Sequence, residues 1–71
     1  MGSSASSITL NGDSYPIDGD TPLTALLERL KMRRGRVAVE INREIVPKAS
    51  YDATIVRVGD HVEIINFVGG G

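Results

Sequence analysis

The chain of 71 residues has no cysteine, a single histidine and a net charge of only −1. Without cysteine there is no disulfide, no thiolate nucleophile and no cysteine-based metal site. His61 alone cannot build a metal cluster, and it reads instead as a surface strand residue after a turn. A near-neutral charge gives no general reason to bind nucleic acid or an anionic membrane. No apolar run approaches the length needed to span a bilayer. Asp18-Gly19-Asp20 lacks the remaining ligands of a calcium loop, and no Walker-type glycine loop is present to hold a nucleotide. The nine carboxylates are scattered, with no pair placed in an identifiable pocket. The expectation is a protein that is not an enzyme by itself and binds no metal or cofactor.

What remains is ordinary globular material, 41% hydrophobic and 24% charged, enough for one small domain. The opening MGSSASS has neither the apolar core of a secretory signal nor the arginine of a transit peptide, so the expected location is cytoplasmic. Met1-Gly2 with Ser6 fits the loose myristoylation pattern, but a polybasic second anchor is missing. Residues 1–7 are therefore read as a flexible tail or cloning remnant, residues 8–68 as the domain, and residues 69–71 as a flexible tail.

The stretch ITLNGDSYPI predicts a hairpin, because Asn11-Gly12 can supply the positive φ angles of a type I′ turn. Pairing Leu10 with Asp13 sets Ile8 opposite Tyr15, so Ile8, Leu10, Tyr15 and Ile17 share the core face. Pro16 makes the second strand an edge. DTPLTALLERLKMRRG predicts a helix with Thr21 or Asp20 as cap and Pro22 at its first position. Leu23, Leu26, Leu27 and Leu30 form its apolar stripe. Lys31, Arg33, Arg34 and Arg36 read as a solvated helix end that suits the dipole, with Gly35 as the stop.

In RVAVEINREIVP the period returns to two, with Val37, Val39 and Ile41 on one face and Ala38 and Glu40 on the other. A turn at Asn42-Arg43 leads to a short strand, Ile45-Val46, closed by Pro47. Within residues 48–58, Tyr51 and Ile55 are expected to plug the core. Gly59-Asp60 turns the chain into the last strand, HVEIINFV. The predicted order is β-β-α-β-β-β, an α+β domain with one helix covering one face of a mixed sheet of about five strands. Val62 and Ile64 then face the helix. Ile65 and Phe67 emerge on the bare face beside Ala38 and Glu40, as a candidate docking patch for a partner.

The sequence ends in Gly69, Gly70 and Gly71, directly after the last core strand. Glycine is costly to order, so three of them contribute little to a compact body. Fully extended they project roughly 10 Å and, lacking Cβ atoms, can thread a channel too narrow for any side chain. The only reactive group they deliver is the α-carboxylate of Gly71. A carboxylate is a poor electrophile until its oxygen becomes a good leaving group, which an ATP-using partner could provide as an acyl-adenylate.

The LNG hairpin, the LLERL helix, EINREIVP and the closing VGDHVEIINFVGGG together resemble the β-grasp (ubiquitin-like) family, and within it the ThiS family of sulfur carriers in thiamine synthesis. The resemblance runs from Ile8 to Gly71. It implies that a ThiF-like adenylating partner, related to ubiquitin-activating enzymes, converts Gly71 to a glycyl-adenylate. Sulfur derived from a cysteine desulfurase then leaves a thiocarboxylate, and a ThiG-like thiazole synthase takes that sulfur. ATP and the sulfur donor would be used by the partners, and the free chain would be a monomer. MGSSASS departs from the family pattern. Two other functions share the glycine end: a molybdopterin synthase small subunit, and a ubiquitin-like modifier that joins a lysine.

Overall fold

Asn11 and Gly12 reverse the chain with φ of 50° and 89°, in a computed structural model that describes residues 6–67. The turn joins β1 (Ser7–Leu10) to β2 (Asp13–Pro16) in the register read from the sequence, Leu10 opposite Asp13 and Ile8 opposite Tyr15. The same register pairs Ser7 with Pro16, and the Ile17 N–H donates to the Ser6 carbonyl at 3.1 Å. Pairing thus begins ahead of the boundary expected at residue 8. β2 lies at the sheet edge, where the missing amide of Pro16 does no harm.

A short strand β3 (Thr21–Pro22) leads into helix α1 (Leu23–Arg29). The helix start differs from the expected cap. Pro22 occupies the cap position, with no side-chain capping bond. Thr21 is buried and its hydroxyl donates to the Gly19 carbonyl at 2.9 Å. The first free amide, that of Leu23, donates instead to the Thr54 carbonyl at 2.9 Å. A distant segment therefore satisfies the orphan donor that a local side chain was expected to take. Leu23, Leu26 and Leu27 are buried and Leu30 packs against them, as the stripe requires.

The helix also stops earlier than Gly35. Leu30 is its C-cap, and Lys31 takes the left-handed conformation with φ 58°. The Lys31 N–H donates to the Glu28 carbonyl at 3.0 Å and the Met32 N–H to that of Leu27 at 2.9 Å. These two bonds close a Schellman motif and turn Met32 back onto the core. Gly35 lies beyond, in a 3-10 turn spanning Arg34–Arg36. A lysine in this conformation carries strain that glycine would not. Lys31→Gly should stabilise the fold by about 0.5–1 kcal/mol, read as a higher urea midpoint at unchanged slope.

β4 (Val37–Ile41) and β5 (Glu44–Ile45) flank a second left-handed pair, Asn42 and Arg43, with φ of 52° and 72°. This places the strand one residue earlier than Ile45-Val46, although the Val46 N–H still donates to the Val39 carbonyl at 2.9 Å. A 3-10 segment, Lys48–Ala53, buries Tyr51. Ile55, expected in the core, is instead 41% exposed, and its neighbour Val56 is fully buried. The reason is β6 (Ile55–Val56), which pairs antiparallel with β3 so that Thr21 and Val56 share the inward side.

The last strand, β7 (His61–Asn66), lies in the middle of the main sheet, whose order is β2-β1-β7-β4-β5. It runs parallel to β1 and antiparallel to β4. Ile8, Val37, Val39, Val62 and Ile64 meet the helix leucines in one core with Tyr51 and Val56. Among the described residues, the helix, the 3-10 segment that carries Tyr51 and β6 with Val56 supply the side chains that pack on that side. Among the described residues no helix is long and apolar enough to cross a membrane.

Candidate functional site

The candidate site is the opposite face of the sheet, at the end where β7 leaves it. Alternation along β7 buries Val62 and Ile64 and leaves Ile65 60% and Phe67 53% exposed. The register sets Ala38 opposite Ile65 and Glu40 opposite Glu63. This is the arrangement read from the sequence. The hairpin from β4 to β5 adds a residue that the reading missed. Ile45 pairs with Glu40, so it shares the outward face and is 76% exposed. The turn at Asn42-Arg43 and the outward position of Glu40 together carried that signal.

Across the strands the face is therefore laid out in rows. Glu63, Glu40 and Ile45 form one row, and Ile65 with Ala38 forms the next. Phe67 comes last, its N–H donating to the Arg36 carbonyl at 2.7 Å and extending the pairing of β7 with β4. At the other end stands exposed His61, opposite Thr9, its backbone amide donating to the Asn42 side chain at 2.9 Å. The apolar half of the face thus adjoins the point from which the chain continues toward Gly71. Gly69, Gly70 and Gly71, the expected reactive tail, lie outside the described residues.

The basic cluster expected at the helix end is partly structural. Arg34 pairs with Asp52 at 2.9 Å, donates to the Lys48 carbonyl at 3.3 Å and stands 5.6 Å from the Tyr51 ring centroid. It ties the 3-10 segment to the segment after the helix, and as an exposed pair it contributes only about 0–1 kcal/mol. Among the described residues no three His, Cys, Asp or Glu side chains converge to hold a metal ion.

A mixed five-stranded sheet with one helix packed on one face defines the class, a β-grasp protein. Residues 8–71 match the model of the ThiS family, and the chain belongs to that family. The crystal structure of the thiamine biosynthesis protein ThiS from Geobacter metallireducens is similar, with 40% identity and a TM-score of 0.77, over 92% of this chain and 99% of that one. The sulfur carrier protein ThiS of Escherichia coli is 37% identical over 46 residues, 65% of this chain and 70% of the relative. A thiazole synthase of Paramagnetospirillum magneticum is 42% identical over 64 residues, 90% of this chain. This chain spans only 20% of the length of the thiazole synthases it matches.

Proposed function

We propose that the protein is a sulfur carrier of thiamine synthesis, a substrate of its partner enzymes rather than a catalyst. The observation that carries the reading is the position of β7. The strand that leads toward the glycines is the central one, held by β1 and β4 on its two sides. A carrier needs a rigid body that presents its reactive end at a fixed place, and the four residues after Phe67 can extend it by at most about 14 Å. ThiS family membership and the relatives named a sulfur carrier and a thiazole synthase support the same reading.

In this proposal Gly71 is the residue that carries sulfur. A ThiF-like enzyme uses ATP to join its carboxylate to AMP, with pyrophosphate leaving. A protein persulfide charged by a cysteine desulfurase then displaces AMP to give an acyl disulfide. A second thiol cleaves its S–S bond, forming a disulfide and releasing the thiocarboxylate. Gly69 and Gly70 thread the partner's channel, and Ile65 and Phe67 dock the body against it. A ThiG-like thiazole synthase receives the sulfur, and the carrier works as a cytoplasmic monomer.

The decisive test is the acceptor. The thiocarboxylate would be prepared and offered separately to thiazole synthase and to the large subunit of molybdopterin synthase, both from the same organism. Turnover is expected with the first alone. Turnover with the second alone would reverse the assignment, and a higher-mass conjugate with a lysine-bearing protein would replace it with protein modification. For the docking face, Ile65→Asp should weaken binding to the adenylating enzyme while leaving thermal unfolding nearly unchanged, because Ile65 is already 60% exposed. A large loss of stability would place Ile65 in the core instead.

A further inference from the structure

The uncovered face carries a feature that its apolar half does not explain. Glu40 and Glu63 are directly opposite one another on neighbouring strands. Side chains so placed start only roughly 4.5–5.5 Å apart, and like charges in that relation oppose folding. Among the described residues no cation offsets them by an ion pair. Arg43 and His61 line the adjoining hollow with both carboxylates, yet the ion pair among the described residues is Arg34 with Asp52. The pair also borders the apolar patch, between it and that polar hollow. Ala38, Val39, Glu40, Ile45, Glu63 and Ile65 line one shallow cavity of about 160 Å³.

We propose that the Glu40–Glu63 pair receives an arginine of the adenylating enzyme and is the charge-reading element of the docking face. This rests on the reading that the face docks that enzyme. Two carboxylates side by side offer acceptors for a planar guanidinium with five N–H donors in a fixed fork. Ile45 and Ile65 provide apolar walls against which the stem of the arginine packs. Guanidinium is also less strongly hydrated than ammonium, which favours it over lysine between such walls. A second copy of this chain is a poor occupant, since two-fold pairing through this face brings four carboxylates together. The partner surface is thus an arginine set among apolar side chains, and binding relieves the repulsion that the free chain bears.

The test measures calorimetric affinity of the full chain for the adenylating enzyme of the same organism, at low and physiological salt. It compares the parent with Ile65→Asp and with the double variant Glu40→Gln, Glu63→Gln. The double variant should bind on the order of tenfold more weakly at low salt and lose most of the salt dependence. Its melting temperature should equal or exceed the parent's, because removing the charges removes their repulsion. Weak binding by Ile65→Asp with parent-like binding by the double variant would overturn the charge-reading role and leave docking intact. Parent-like binding by both would overturn both. A fall in the double variant's melting temperature would show that the chain itself satisfies the pair, against the proposal. A parent dimer made monomeric by the double substitution would assign the pair to a second copy, and would also overturn it.

Discussion

Gly70→Val should lower adenylation of Gly71 by about a hundredfold or more while the body melts as the parent does. The body is expected to be indifferent because position 70 lies three residues beyond Phe67, whose backbone amide still bonds the Arg36 carbonyl within the fold. The effect on the reaction is steric and positional. A β-branched side chain adds an isopropyl group to a segment proposed to run through a channel fitted to bare backbone. Displacing a reacting carboxylate by even 1 Å can cost about a hundredfold. Deleting Gly71 retracts the carboxylate by roughly 3.5 Å and should be at least as damaging. Gly70→Ala should fall between valine and the parent. The assay is intact mass after incubation with the adenylating enzyme and ATP, beside a thermal melt of each variant. If Gly70→Val were adenylated as readily as the parent, the narrow-channel idea would be wrong.

The proposed site divides into a part set by local pattern and a part set by distant contacts, and only the first was legible in the sequence. Alternation along HVEIINF assigned Val62 and Ile64 to the core and Ile65 and Phe67 to the open face, because the period of a strand is fixed by its backbone. The Asn11-Gly12 turn fixed its own register for the same reason. Ile55 and Val56 could not be resolved in this way. A two-residue strand has no periodicity to read, and its inward side is decided by pairing with Thr21 and Pro22 far back in the chain. The helix end misled for a different reason. Glycine is the cheapest residue in the left-handed conformation, so Gly35 was the local expectation. Packing Met32 onto the core, however, required the reversal at Lys31. The pairing of Ile45 with the carboxylate row was implicit in the Asn42-Arg43 turn, but it became useful only once Glu40 was placed beside Glu63.

Asn11 shows how far a distant contact can matter, and Asn11→Ala should destabilise the fold by about 2–4 kcal/mol. The backbone ladder from β1 to β7 ends with Leu10 opposite Val62. The Asn11 side chain then continues it. Its amide oxygen accepts the Ile64 N–H at 2.8 Å, and its amide nitrogen donates to the Ile64 carbonyl at 3.2 Å. One side chain thus serves as a rung of the sheet. Alanine removes both bonds, leaves two backbone groups of β7 without those partners, and puts a Cβ-bearing residue with no compensating side-chain bond at φ 50°. For a domain of 71 residues the total stability is on the order of 4–10 kcal/mol, so this loss is a large fraction of it. Asn11→Gly separates the two causes, since it relieves the backbone strain and loses only the rung. It should be less destabilised than alanine but well below the parent. Denaturant unfolding measures both variants, and amide exchange at Ile64 locates the effect. Protection of Ile64 should fall first, because the strand that carries Ile65 and leads to the proposed reactive glycine is then held at that point from the β4 side alone. Parent-like exchange at Ile64 in Asn11→Ala would show that the asparagine rung does not hold β7 in place.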